Sequence, residues 1–201
     1  CSLSPKSAAG LLAAGYVAAG GLKVYQKFAD LLGSGSDAVL KKTGCIGMCY
    51  AEVLVEVRDE KNGSTVYGNV SPDKVARIVE SHVRNGQAVT EWIVDTNGST
   101  SKQQRIVLRN CGVIDPDSLD EYLARDGYQG LEKALTRMTP EQVISTIADS
   151  GLRGRGGAGF PTGTKWRLAA GSKDSHKYVI CNADEGDPGA FMDRSLLESD
   201  P

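Results

Sequence analysis

The segment Gly151-Leu-Arg-Gly-Arg-Gly-Gly-Ala-Gly-Phe-Pro-Thr-Gly-Thr-Lys-Trp166 constrains this chain more than any other. Glycine tolerates a left-handed backbone and lets the main chain approach a ligand closely. Successive free N–H groups form an anion-binding concavity, which the cations Arg153, Arg155 and Lys165 would strengthen. A phosphate-bearing cofactor is the expected ligand. The submotif Gly154-x-Gly156-x-x-Gly159 matches the dinucleotide fingerprint, but that fingerprint follows a strand. Here Thr139 to Ser150 reads as a helix. Thr139 and Gln142 have capping-box spacing with Pro140 at the first helical position. Val143, Ile144 and Ile147 share a face, and Gly151 is the stop signal. A Rossmann βα turn is therefore the wrong context. The bland alternative is a flexible surface loop, which rarely interleaves Arg, Phe, Trp and Lys.

Lys177-Tyr-Val-Ile-Cys181 reads as a short buried strand ending in Asn182-Ala-Asp184-Glu185-Gly-Asp187-Pro-Gly189. Ligands of open α/β sheets gather at the carboxyl ends of strands. Three carboxylates would repel a phosphate, yet they can accept hydrogen bonds from sugar or ribityl hydroxyls. A hard-cation site and a solvated acidic turn are the alternatives.

These two motifs in this order resemble the flavoprotein subunit of NADH:quinone oxidoreductases, a subunit type shared by NAD(P)-linked iron-hydrogenases and NAD-dependent formate dehydrogenases. The resemblance runs from about Gln103 to the end. It implies an FMN site that takes hydride from NAD(P)H and passes single electrons to iron–sulfur clusters. By position it puts Gly154, Arg155, Gly156, Gly157 and Lys165 around the FMN phosphate, and Asn182, Asp184 and Glu185 along the ribityl chain and ring. Phe160 matches an aromatic that stacks on NADH. Asp187 stands where a carboxylate, often Glu, contacts NADH. Leu168 replaces a second stacking Phe of some members.

A second resemblance, over about Leu11 to Val89, is to the thioredoxin-like [2Fe–2S] ferredoxin domain fused to many such flavoproteins. Leu22 to Leu32 reads as an amphipathic helix, broken by Gly33-Ser-Gly-Ser36. Glu52 to Arg58 and Thr65 to Val70 are strand candidates, joined by the hairpin signal Asn62-Gly63. A helix follows Ser71-Pro72, with Val75, Ile78, Val79 and Val83 on one stripe and an end at Gly86. Ser7 to Gly21, rich in Ala, Leu and Gly, reads as the start of a packed helix. The fold class is thus α/β: a thioredoxin-like ferredoxin domain at 1–94, a polar linker at 95–104, and at 105–201 the N-terminal part of a Rossmann-like FMN/NADH-binding domain. In this last part Asp115-Pro116 reads as the start of a short helix and Leu131 to Met138 as a second. A fragment truncated at both ends is expected.

A [2Fe–2S] cluster needs four ligands, normally thiolates. Cys45-x-x-x-Cys49 fits the second half of the domain's ligand set. Alignment puts Leu11 and Tyr16 at the first half, and neither residue normally serves as a ligand. Three readings stay open: a degenerate, cluster-free scaffold, a cluster completed by Cys1 plus another group, and a damaged or misread N-terminal sequence. A redox disulfide lacks the compact Cys-x-x-Cys that tunes thioredoxin thiols. Any [4Fe–4S] ligands would lie beyond Pro201. Cys111, after the strand-like run Arg105–Leu108, and Cys181 read as structural. His82, on the Ser71 helix, and His176, in a loop, have no assigned role.

A formal net charge of −2 gives no nucleic-acid signal, and no apolar run approaches the ~20 residues of a membrane span. Five cysteines without a dense pattern suggest a reducing compartment. The expected setting is cytoplasmic, or peripheral on the inner face of a membrane complex, beside other iron–sulfur subunits. No nucleophile or general base is required, because the cofactor carries the chemistry. A non-catalytic assembly subunit or degenerate remnant is the rival reading. An ATP-binding module lacks the Gly-Lys-[Ser/Thr] ending of a P-loop.

Overall fold

The computed structural model describes residues 10–14 (backbone only), 20–34, 36–59, 63–95 and 103–200. Cys1, Tyr16, Asn62 and most of the linker lie outside them. The chain divides into two compact units, one formed by Cys1–Tyr122 with Glu185–Pro201 and the other by Leu123–Asp184.

The first unit is built on a four-stranded sheet. Its strands are β1 (Gly10–Ala14), β2 (Val39–Thr43), β3 (Leu54–Asp59) and β4 (Gly63–Tyr67), in the order β2-β1-β3-β4. β1 runs parallel to β2 and antiparallel to β3, and β3 and β4 form an antiparallel hairpin. Helix α1 (Gly21–Leu32) lies between β1 and β2 in the chain, and α2 (Pro72–Ile78) follows β4. A βαβ half and a ββα half sharing one sheet make a thioredoxin-like arrangement, as the resemblance implied. The reading of Ser7 to Gly21 as a helix start is corrected over Gly10–Ala14. Alanine and leucine favour helix by propensity, but this segment is bonded on both sides, to Val39–Thr43 and to Leu54–Arg58. Two ladders outweigh a weak local preference.

The core follows from the apolar stripes. Val24 and Phe28 of α1, Val55 and Val57 of β3, and Val75, Ile78 and the adjoining Val79 of the α2 stripe all bury together with Tyr67. Beyond Ile78 the helix continues as a π-helical stretch, Val79–Arg84, and closes at Gly86, whose φ is +66°.

This stretch carries the buried His82, whose Nδ1 lies 2.6 Å from the Tyr67 hydroxyl and whose Nε2 lies 3.0 Å from Asp59 Oδ2. The Val89 amide donates to the same hydroxyl at 3.1 Å. With the hydroxyl accepting from Val89, its proton serves Nδ1, and Nε2–H donates to Asp59. The histidine is a satisfied core residue tying the hairpin to the helix. Tyr67→Phe would strip partners from His82 and the Val89 amide together. We expect a loss of about 1–3 kcal/mol in denaturant unfolding; a change of a few tenths would show that these groups find other partners.

Residues 103–118 form turns rather than the expected strand, with Ile106 and Val107 exposed. Arg105 instead donates to the Ile46 carbonyl at 2.7 Å, and Asp115 and Asp117 pair with Lys42. The helix expected at Asp115-Pro116 begins at Leu119, as α3 (Leu119–Leu123).

The second unit holds α4 (Gln129–Arg137), α5 (Pro140–Asp149) and α6 (Thr162–Ala170). The α5 capping box is present: Gln142 N–H donates to Thr139 Oγ1 at 3.3 Å, and Thr139 N–H donates to Gln142 Oε1 at 2.9 Å. Residues 177–181 correct the buried-strand expectation. They are unpaired, and Tyr178, Val179 and Ile180 are 85 to 100% exposed. A buried parallel strand needs neighbours on both sides, and no described segment of this unit supplies one. Cys181 is accordingly exposed rather than structural. The last helix, α7 (Met192–Ser199), belongs to the first unit.

Candidate functional sites

The glycine segment joins α5 to α6 as a closed loop. Gly151, with φ +70°, ends α5, its N–H donating to the Ala148 carbonyl at 3.1 Å. Arg153 then bridges to Pro161. Gly154 N–H donates to the Phe160 carbonyl, and Thr162 N–H to the Leu152 carbonyl, each at 2.9 Å. Arg153 Nη1 reaches the Gly159 carbonyl at 3.1 Å, so this cation is used inside the loop. The ends are tied, and Gly154 to Phe160 project as one turn that leads into the N-terminus of α6.

The glycines fall into three kinds. Gly157 (φ +98°) and Gly159 (φ +61°) occupy the left-handed region, which side chains disfavour. Gly163 is buried where α6 crosses α5, and a Cβ there would stand 2.5–2.7 Å from Ala148. Gly156 has neither constraint: its backbone is not left-handed and a Cβ would meet nothing within 4 Å. Nothing inside the protein asks for glycine there. Arg155 and Lys165 are exposed and make no side-chain hydrogen bond or ion pair among the described residues. Phe160 is half exposed on the same loop.

In the acidic segment, the Asn182 side chain accepts from the Asp184 amide at 3.0 Å, an Asx turn. Glu185 has φ +49° and accepts from the amides of Asp193 (2.6 Å) and Arg194 (3.2 Å), capping α7. A carboxylate at a helix N-terminus is favoured by the dipole. Asp187 starts a tight turn, its carbonyl accepting from Ala190, and it is exposed.

A separate cluster lies in the first unit, on the loop after β2. Cys45 and Cys49 bring their Sγ atoms to 3.9 Å, with Glu52 beside them; one ligand atom from each lies within 4.8 Å of the others. Gly47, at φ +88°, turns the chain so that its N–H donates to Cys45 Sγ at 3.2 Å. The loop is pinned from α7: Ser199 Oγ donates to the Cys45 carbonyl, and Ser199 leaves no room for a Cβ at Gly44. Burial and the Glu52 carboxylate, which accepts from the Cys45 thiol, push that thiol up to about 12. Cys49 is exposed. Glu52 was absent from the sequence reading, where it counted only as the start of a strand.

The thiolate set of a [2Fe–2S] cluster is not found among the described residues. Cys111 is buried beside Ser199, Asp200 and Arg105 and is not one of the grouped ligand atoms, and Cys181 belongs to the other unit. The donors gathered here are two thiols and one carboxylate.

Residues 147–201 match the family model described as Nuo51 FMN-binding domain. The chain is 63% identical over 100 residues to the NADP-reducing hydrogenase subunit HndC of Solidesulfovibrio fructosivorans, a match covering 50% of this chain and 20% of that protein. It is 49% identical over 96 residues to an NADH-quinone oxidoreductase subunit of Rhizobium meliloti, covering 48% and 23%. A longer match, 37% over 163 residues, is to the NAD-reducing hydrogenase HoxS subunit alpha of Cupriavidus necator, covering 79% and 25%. The matched stretch is thus a fifth to a quarter of each relative. Among solved structures, a thioredoxin-like [2Fe–2S] ferredoxin from Aquifex aeolicus aligns with 44% of this chain and 91% of its own, at 22% identity and a TM-score of 0.40. The resemblance read from the two motifs is the one these comparisons return. No helix among the described residues is long and apolar enough to cross a membrane.

Proposed function

We propose that the chain is part of an electron-entry module, which oxidises NAD(P)H at an FMN held by the glycine loop and hands single electrons to iron–sulfur partner subunits. The observation that carries this reading is Gly156, a glycine that the protein's own packing does not need, beside two uncommitted cations. Its place within a match to the Nuo51 FMN-binding domain supports the same ligand.

The residues present suit the flavin's phosphate. The loop amides from Arg155 to Gly159 and those of Gly163 and Thr164 in the first turn of α6 offer donors, the Gly154 and Thr162 amides being used within the loop, and the helix dipole adds positive potential there. Arg155 offers a planar fork and Lys165 a point charge. When bound, FMN supplies the acceptance of hydride and its release as single electrons. The chain's own residues bind and orient. Asn182 and Asp184 would accept hydrogen bonds from ribityl hydroxyls. Glu185 stays on the α7 amides, so its part is to hold the acidic turn in shape. Phe160 would meet the dinucleotide. The domain organisation proposed is the ferredoxin-like part, 1–94, joined through 95–104 to the flavin part. The proposed location is the cytoplasmic side, peripheral where the complex is membrane-bound.

Anaerobic mixing with NADH and NADPH tests the reading. Flavin-loaded protein should bleach with one or both donors. A flavin that stays oxidised with both would favour an assembly role. Lys165→Ala should weaken FMN binding more at low than at high salt, because part of its contribution is Coulombic and screened. Equal affinity to the unaltered chain at both salt concentrations would remove Lys165 from the phosphate site.

A further inference from the structure

Among the described residues the cysteine cluster offers two thiols and not the four thiolates of a [2Fe–2S] centre, yet its geometry is not that of two idle thiols. We propose that Cys45, Cys49 and Glu52 bind a single thiophilic divalent cation, of the zinc class.

Three features carry this. The first is distance. Two thiolates about 2.3 Å from a tetrahedral cation lie about 3.8 Å apart, and the two Sγ atoms stand at 3.9 Å. The second is the donor set. Three groups that are anionic when deprotonated share a space of 4.8 Å, and two of the side chains are largely withdrawn from solvent. Such a set repels itself unless a proton or a cation is shared within it. Two soft sulfurs and one carboxylate suit zinc better than magnesium or calcium, which favour oxygen-only shells. The third is the surroundings. The Gly47 amide donates to Cys45 Sγ, a bond that favours sulfur as a charged acceptor. Arg194, tied to Glu198 at 3.1 Å, feels the charges of Glu52 and Cys49 and offsets the excess negative charge of a loaded site.

The loop can hold this arrangement because both ends are fixed. Ser199 of α7 and Arg105 hold the carbonyls of Cys45 and Ile46, and Cys49 to Ala51 form a turn of 3₁₀ helix that swings Glu52 back toward the sulfurs. Cys49 is exposed, which provides an entry path.

The test is cobalt titration of the full chain after chelator treatment, with Zn²⁺ as competitor. The expected result is one Co²⁺ per chain with a sulfur-to-cobalt charge-transfer band that stoichiometric Zn²⁺ erases. Cys49→Ser should remove most of that band. Outer partners of a metal ligand are alone worth about 10- to 100-fold in affinity, so Glu52→Gln should weaken binding by at least that much. The unaltered chain decides the matter even if a variant folds poorly. Absence of the band, or two irons with two acid-labile sulfides per purified chain, would overturn the proposal. Equal cobalt affinity in a folded Glu52→Gln chain would overturn the assignment of Glu52.

Discussion

Gly156→Val is expected to cut FMN affinity by at least ~100-fold, about 2.7 kcal/mol, with no loss of folded stability. The argument rests on what surrounds the position. A Cβ at Gly156 meets no atom within 4 Å, and its backbone lies outside the left-handed region. The substitution therefore carries no internal steric cost. Its cost appears only when something must approach the backbone from outside, as a phosphate does when it collects successive amides. The same change at Gly157 or Gly159 would be ambiguous, because their positive φ values would strain the loop itself. Fluorescence titration with FMN, beside thermal unfolding, reads both halves. An unaltered affinity would take the phosphate away from this loop.

Phe28→Ala is the second large effect. Phe28 is 0% exposed on the inner face of α1 and belongs to the cluster with Val24, Val55, Val57, Tyr67 and Ile78. Truncation to alanine leaves a cavity that a sheet bonded on both sides of β1 cannot readily close. A loss of about 3–5 kcal/mol is expected, a large part of the stability of a domain this size. Urea unfolding followed by far-UV circular dichroism measures it. A loss under 1 kcal/mol would mean that α1 does not pack as described.

Local signals decided which parts of the molecule were legible. The α5 capping box, the Gly151 stop and the apolar stripe of α2 are each written within a few residues, and each stands where the pattern put it. The β3–β4 hairpin was legible because alternating apolar residues flank a turn dipeptide. Three things were not legible, for one physical reason. Gly10–Ala14 is a strand only because distant segments bond to it on both sides. Tyr178–Ile180, β-branched and aromatic enough to suggest a buried strand, has no strand partner among the described residues. Glu52 joins the two cysteines only because a 3₁₀ turn reverses the chain after Cys49, and nothing in its immediate sequence marks it as a donor. In the same way, the sequence showed Glu185 to be acidic, while its use as a helix cap depends on α7 beginning seven residues later at Met192.

The central claim is that the glycine loop grips the phosphate of a flavin. Isothermal titration of the full chain with FMN and, separately, with riboflavin tests it most directly, since the two ligands differ only in that phosphate. The account predicts tight, salt-sensitive binding of FMN and at least ~100-fold weaker binding of riboflavin, a gap of about 2.7 kcal/mol. Equal affinity for the two, or failure to bind FMN at all, would contradict it.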